Sequence, residues 1–380
     1  MHKPVIIGAG IAGLTLGVAL RHRGIACEMC EAAPALEPIG AGIWMAPNAM
    51  QVFARLGLAD EVSEAGVEIE RVCATTAGLR TIGAIDLAGA KKKFGYKIIS
   101  IQRAQLHRIL IAAFGGGRVH LGKRLRSIEE IFAEPRAAFE DGTSASGSIL
   151  IGADGTRSAA RQAIFGDRPM RRTGQMCWRG LADFELPETF RGATFEMWAR
   201  ASRMGIADVG HGKAYWFLVN RMAEPGRPAS GTARDQLIEI ARDFPPAASR
   251  LIEATPAAAI NQVELADLPP RLPWSRGNVC LIGDAAHPTT PNLGQGGAQA
   301  VEDAYCLARM LSEQEDAGKA FEAFQARRFA KVRSIVNTSY RAGRLIHAGW
   351  PRVRNFVFGI TPRSVNERAM ERLYDVSSSI

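Results

Sequence analysis

The chain has 380 residues, 47% of them hydrophobic, which is enough for two domains or one large discontinuous one around a real core and suits a soluble enzyme. Its formal charge of +9 invites nucleic acid, but the basic residues are scattered and only Lys91-Lys92-Lys93 forms a tight run. We therefore expect no nucleic-acid partner, and a solvated basic surface that also draws anionic cofactors and substrates.

The chain opens on Val5-Ile6-Ile7-Gly8-Ala9-Gly10-Ile11-Ala12-Gly13, a short apolar strand running into a Gly-x-Gly-x-x-Gly turn. Gly8 permits the tight turn, Gly10 leaves no side chain to hold a pyrophosphate away from the backbone, and Gly13 lets helix and strand pack closely. The helix expected from Ile11 to about Arg23 aims unpaired N–H groups and a positive dipole end at phosphates, and Gly24 suits its left-handed end. A second short strand, Ile25 to Cys30, ends in Glu31, close to the distance expected for the acid that binds a ribose diol. The apolar stretch Val5 to Leu20 is shorter than a membrane span and lacks a clear small-residue cleavage site. We expect no membrane span and a cytoplasmic protein. Cys27 and Cys30 form a Cys-x-x-Cys, but on a strand an odd spacing sends the two to opposite faces. With no His-x-His or His-x-x-x-His pair either, we expect buried thiols and no metal.

Glu37 to Asn48, rich in glycine and proline, reads as an extended loop, and Met50, Val52, Phe53 and Leu56 mark a helix closed at Gly57. Residues 67–99 read as short strands and turns. Gln102 to Leu110 reads as a helix with Arg103 near its start, where a phosphate partner would sit. Leu121 to Ile151 alternates strand with turn around Asp141-Gly142, and its last strand delivers Asp154 and Gly155 at its carboxyl end, where open α/β sheets bind ligands. From Met176 to Asn220 the segments Thr194 to Trp198, Met204 to Val209 and Ala214 to Asn220 read as antiparallel strands, a second sheet whose large aromatics suit an apolar pocket. A helix near Ala233 to Phe244, a shorter one after Pro245-Pro246, and a strand around Ile260 to Leu268 follow. The strand Asn278 to Ile282 then runs into Gly283-Asp284 and Pro291-Asn292-Leu293-Gly294-Gln295-Gly296-Gly297, and a helix from Ala298 to about Leu311 begins there. An acid beside a glycine-rich helix start is suited to stabilising negative charge on a bound ring. Phe321, Phe324, Phe329, Val332, Ile335 and Val336 recur near helical spacing, so a long C-terminal helix packs across the domains.

Together the opening glycines with Glu31, Arg103, the Gly152-Ala153-Asp154-Gly155 segment and the Gly283-Asp284 loop with Pro291 to Gly297 resemble the single-component FAD-dependent aromatic hydroxylases, the para-hydroxybenzoate hydroxylase class. The salicylate hydroxylase-like and urate hydroxylase branches look nearest, over residues 5 to about 345. The resemblance implies an α/β fold with α+β elements: a Rossmann-like FAD-binding domain (1–70, 100–175, 275–320), an inserted, mainly antiparallel substrate domain (71–99, 176–274) and a C-terminal helical region (321–380).

It also implies roles. Gly8, Gly10, Ile11, Ala12, Gly13 and Glu31 would hold the ADP half of FAD. Arg103 would meet pyrophosphate or ribityl, Asp284 the ribityl hydroxyls, and Pro291 with Gly294, Gln295, Gly296 and Gly297 the flavin ring. Asp154 would be tied to FAD and to the nicotinamide cofactor. With no second Gly-x-Gly-x-x-Gly, NADH or NADPH would bind transiently. The implied reaction uses NAD(P)H and O2 to put one oxygen atom on an electron-rich ring, in a monomer or homodimer.

Candidates for orienting or activating the substrate are Tyr215, Arg203 and His211. Tyr215 beside Trp216 and Phe217 suits a core as well as a site, and the Gly-His-Gly turn suits an exposed His211. The urate branch carries an acid near Asn292, a departure that weighs against urate. The alternatives are a same-fold flavoenzyme doing epoxidation or simple oxidation, and a flavin-binding redox sensor. The absence of Trp-x-Trp-x-Ile-Pro weighs against a halogenase.

Overall fold

A computed structural model describes residues 2–36, 40–222, 233–347, 350–360 and 363–380. A six-stranded sheet runs Ser275–Arg276, Val279–Leu281, Ile149–Gly152, Pro4–Ile7, Glu28–Cys30, Val119–His120, parallel throughout except for the first pair. Its central strands are apolar and buried on both faces, as parallel strands covered by helices must be. The helix Ile11–Arg21 is buried from Ile11 to Leu20 because it is wedged between that sheet and the helices Arg103–Phe114 and Gly296–Glu313.

The second sheet has seven strands, in the order Asn261–Asp267, Arg171–Asp183, Lys213–Arg221, Ser202–Asp208, Ala193–Trp198, Arg71–Thr76, Thr81–Asp86. All pairs are antiparallel except Ala193–Trp198 with Arg71–Thr76. Period-two alternation gives the sheet two different faces. Trp178, Met204, Ile206, Trp216 and Leu218 point one way and pack on Leu237, Ala248, Leu251 and Ile252 of the helices Ala233–Ala241 and Pro246–Ala254. Arg179, Leu181, Arg203, Ala207, Tyr215 and Phe217 point the other way, toward the first sheet's half of the molecule. A helix of 30 residues, Ala317–Ile346, buries Phe321, Phe324, Val332, Ile335 and Val336 along its length.

Five local readings change. The first helix stops at Arg21, although Gly24 does take φ +70°. The stretch read as an extended loop contains the strand Gly42–Met45 and the start of the helix Pro47–Arg55; its residues 37–39 lie outside the described ones. Ala88–Phe94, read among strands and turns, is a surface helix with no fully buried residue, half-burying Ala90 and Phe94; Asp86 accepts from the Ala88 N–H at 2.8 Å to start it. The strand carrying Cys30 begins only at Glu28, so Cys27 precedes it; burial pushes both thiols up to about 11. Among the described residues no group of three or more His, Cys, Asp or Glu could hold a metal ion, and no helix is long and apolar enough to cross a membrane. The second sheet's strand Arg171–Asp183 begins five residues before the expected boundary at 176.

Candidate active site

The opening glycines have separable jobs. A Cβ on Gly13 would lie 2.0 Å from the Gly8 carbonyl oxygen, and one on Gly8, at φ +104°, would lie 2.6 Å from the Ala153 carbonyl oxygen. A Cβ on Gly10 would meet nothing within 4 Å. The first two hold loop, helix and neighbouring strand together, while Gly10 fronts open space of the kind a pyrophosphate needs. Ile11 and Ala12 start the helix behind it and are buried. Glu31 lies against this loop, its carboxylate accepting from the Ala9 N–H at 2.7 Å and the Ala33 N–H at 2.9 Å. Gly13→Ala is expected to cost about 3 kcal/mol through overpacking. Gly10→Ala should melt like the parent yet purify with less FAD, read as flavin absorbance per protein.

Arg103 begins its helix, donates its backbone N–H to the Ala41 carbonyl at 3.0 Å, and exposes its side chain. Crowding by protein lowers its pKa, Asp284 opposes that, and Arg179 adds to it. Arg103, Arg179 and Asp284 therefore stand within electrostatic reach of one another. Arg179 was invisible to motif reading; its only signal is a charge in the middle of Met176-Cys177-Trp178-Arg179-Gly180-Leu181. It donates Nε–H to the Cys177 sulfur at 3.5 Å.

Asp154 is occupied locally. It accepts from the Ser158 hydroxyl at 2.5 Å and the Ala160 N–H at 3.0 Å, fixing the start of the helix Ala159–Phe165. From that helix Arg161 donates to the Ala285 carbonyl at 2.8 Å and the Thr156 carbonyl at 2.7 Å, tying this turn to the Gly283-Asp284 loop. Asp284 is half-buried and accepts from the Thr156 hydroxyl at 3.0 Å.

Pro291 opens a tight turn that Gly294 ends at φ +62°, and the helix Gly296–Glu313 starts at once. Its first N–H groups have no partner within the helix and carry the positive dipole end. A Cβ on Gly294 would touch the Trp44 ring at 3.4 Å, and one on Gly297 would meet Ile43 Cδ1 at 3.0 Å. The Gln295 side chain turns inward, where its Oε1 accepts from Asn48 and from Gln299, each at 3.0 Å.

Beneath lies a buried polar network that motifs did not reveal. Asp303 accepts from the Gly283 N–H at 2.9 Å, pairs with His287 Nε2 at 2.5 Å, and accepts from Arg328 Nε at 2.7 Å. Glu302 accepts from Arg328 Nη1 at 2.5 Å and from Asn48 Nδ2 at 2.6 Å.

Of the three substrate candidates, two come together. Arg203 is 1% exposed and donates to Glu196 Oε1 at 2.7 Å and to the Asn292 Oδ1 of the cofactor-side turn, while its Nε is buried with no partner among the described residues. Asn292 in turn donates its amide to Thr290 Oγ1 at 3.0 Å and to the Ser339 carbonyl at 2.8 Å. Tyr215 packs against Gly42, where a Cβ would lie 2.5 Å from Tyr215 Cγ, and beside Phe217 at 6.2 Å between ring centres. Burial pushes its phenol up to about 12, against the pull of Arg179 and Arg203. His211 stands apart, exposed at φ +58° in a hairpin turn, lining a surface depression of about 280 Å³ with Asp208 and Lys213.

A glycine cradle, an acid, a loop arginine and a second glycine-rich helix start thus converge between the two sheets. A family model described as an FAD binding domain matches residues 2–339. The chain belongs to this FAD-binding family. It is 37% identical to the aurachin C monooxygenase/isomerase of Stigmatella aurantiaca over 90% of this chain and 88% of that one. To the 2-heptyl-3-hydroxy-4(1H)-quinolone synthase of Pseudomonas aeruginosa it is 29% identical over 97% of both chains. The crystal structure of Klebsiella pneumoniae HpxO complexed with FAD and uric acid superposes with a TM-score of 0.88, at 29% identity, covering 98% of this chain and 96% of that one. FAD is the cofactor that the cradle fits.

Proposed function

We propose that this FAD-dependent monooxygenase hydroxylates a neutral heteroaromatic ring of the alkylquinolone kind. The reaction class is the family's; the substrate rests on one observation. The Arg203 charge is balanced by Glu196, and the residue at its other side is the neutral Asn292, so the wall at Arg203 carries no net charge; the cation Arg179, nearer Tyr215 on the same face, lies toward Arg103 and Asp284 of the cofactor side. Such a wall favours an uncharged ring bearing a carbonyl over a ring anion. The quinolone named in one relative has that character, and Trp44, Tyr215 and Phe217 supply aromatic surface for it.

Bound FAD supplies the redox chemistry, with electrons from NADH or NADPH and oxygen from O2. The chain's residues do the rest. Gly8 to Gly13 with Glu31 and Arg103 would hold the cofactor's ADP and pyrophosphate part, and Asp284 its ribityl chain. The helix start at Gly296-Gly297 would favour negative charge on the reduced ring. Arg203 Nε–H is free to donate to a ring carbonyl, and Tyr215 keeps its proton at neutral pH and can donate to a ring oxygen. Tyr215→Phe is expected to lower kcat by roughly tenfold to a hundredfold with little change in KM.

The test is NADH and NADPH oxidation by the purified holoprotein in air with 2-alkyl-4-quinolones, urate and salicylate, reading product mass in parallel. A quinolone product one oxygen heavier, at a kcat/KM at least about tenfold above urate, is expected. A preference for urate or salicylate would overturn the substrate. Peroxide as the sole product with every ring would count against hydroxylation itself.

A further inference from the structure

Seven of the eleven exposed large apolar side chains among the described residues lie between Leu345 and Val365. They centre on the helix Pro351–Ile360, which presents Val353, Phe356 and Ile360 outward, with Trp350 one turn before on the same line; Trp350 is 76% and Phe356 66% exposed. An apolar stripe of this spacing belongs against a nonpolar phase, not water. The surrounding stretch from Arg341 to Arg372 holds seven arginines, one of them the buried Arg354, against two glutamates and no aspartate. Two copies of this face would bring like charges together, so the charge favours an anionic partner. At about 15 Å the helix is too short to span a bilayer and has the length and composition to lie in its interface.

The opposite side of the helix is fastened to the strand Ala193–Trp198, beside Arg203. Phe358 stacks edge-on against Trp198 at 4.8 Å, and the buried Arg354 lies over the same ring at 5.2 Å. Trp198 donates its Nε1–H to Glu196 Oε1 at 2.8 Å, the atom that also receives Arg203. One helix thus joins an outward apolar stripe to the wall of the pocket.

We infer that the helix Pro351–Ile360 docks the enzyme on an anionic phospholipid surface, with Trp350, Val353, Phe356 and Ile360 entering the acyl boundary and the neighbouring arginines meeting the headgroups. The docked enzyme takes a lipophilic ring substrate from the bilayer, a consequence that rests on the substrate class proposed above. The docking itself stands on the surface alone and is read without turnover.

The FAD-loaded protein is sedimented with vesicles of phosphatidylcholine, with or without phosphatidylglycerol, at low and high salt. Association with the anionic vesicles is expected, weak with the neutral ones and released by salt. The double variant Phe356→Ser, Ile360→Ser should bind at least about tenfold more weakly, with parental melting and FAD content. Trp350→Phe should remove most of the vesicle-induced blue shift in tryptophan emission. Holoprotein that stays in the supernatant with both vesicle types, or a double variant that binds like the parent, would overturn the inference. So would self-association without vesicles that the double variant abolishes, because the stripe would then meet a second copy.

Discussion

Arg203→Ala is expected to lower kcat/KM by at least about a hundredfold, because two separate losses coincide at one buried guanidinium. The first is the donor itself: Nε is buried without a partner among the described residues, and in the proposed function it donates to a substrate oxygen. The second is order in the wall. Glu196 takes both Arg203 and Trp198, and Asn292 joins Arg203 to the cofactor-side turn, so the variant loosens sheet, turn and outer helix together. Leaving Glu196 without its cation should also cost about 3 kcal/mol of stability. Arg203→Lys separates the two losses. It keeps the charge beside Glu196 and should recover much of the melting temperature, but it lacks the planar fork and should recover little turnover. If Arg203→Ala melts early yet keeps kcat/KM within about threefold on the same substrate, the arginine only braces the wall, and the neutral-pocket argument loses its substrate contact.

The nucleotide half was legible because its chemistry is local. Gly13 packs on Gly8 within a few residues with the open Gly10 between them, and Asp284 and Gly294 to Gly297 follow a single strand end, so spacing alone carries the meaning. Arg203 and Tyr215 were reachable only through family resemblance, since nothing in the spacing shows that odd positions of three strands share a face. Arg179 shares that face and was passed over for the same reason. Glu302 and Asp303 look in sequence like charges on a helix surface; their partner Arg328 is 25 residues beyond Asp303, and only the packing of the two helices brings them together. The stripe at Val353, Phe356 and Ile360 is the reverse case. Its periodicity is visible, but whether such a stripe meets a core or the solvent is decided by tertiary structure.

The same buried network sets the second large effect: Arg328→Met is expected to cost about 4 kcal/mol and to strip FAD from what still folds. Arg328 is fully buried and bridges two fully buried carboxylates, so removing it leaves Glu302 with Lys331 and Asp303 with His287. These carboxylates hold the cofactor loops. Asp303 fixes the Gly283 N–H beside Asp284, while Glu302 reaches Gln295 through Asn48 at the start of the helix Gly296–Glu313. Their titration gives the pH dependence. Burial works to raise Asp303, but His287 and Arg328 prevail and hold it down to about 2; Glu302 is also held low by Arg328 and Lys331 against the burial that opposes them. In the unfolded chain such carboxyls titrate near roughly 4. Since the folded values lie below the unfolded ones, this stabilisation is fully present above about pH 5 and is lost as the pH falls toward about 2. Melting temperature of the parent should therefore be level in this respect at neutral pH and drop steeply in acid, with FAD released along the same curve. In Asp303→Asn the acid slope should be shallower from a lower starting point. An unchanged acid slope in that variant would mean that other carboxylates carry the acid sensitivity, and that Asp303 braces the Gly283 turn without governing when it lets go.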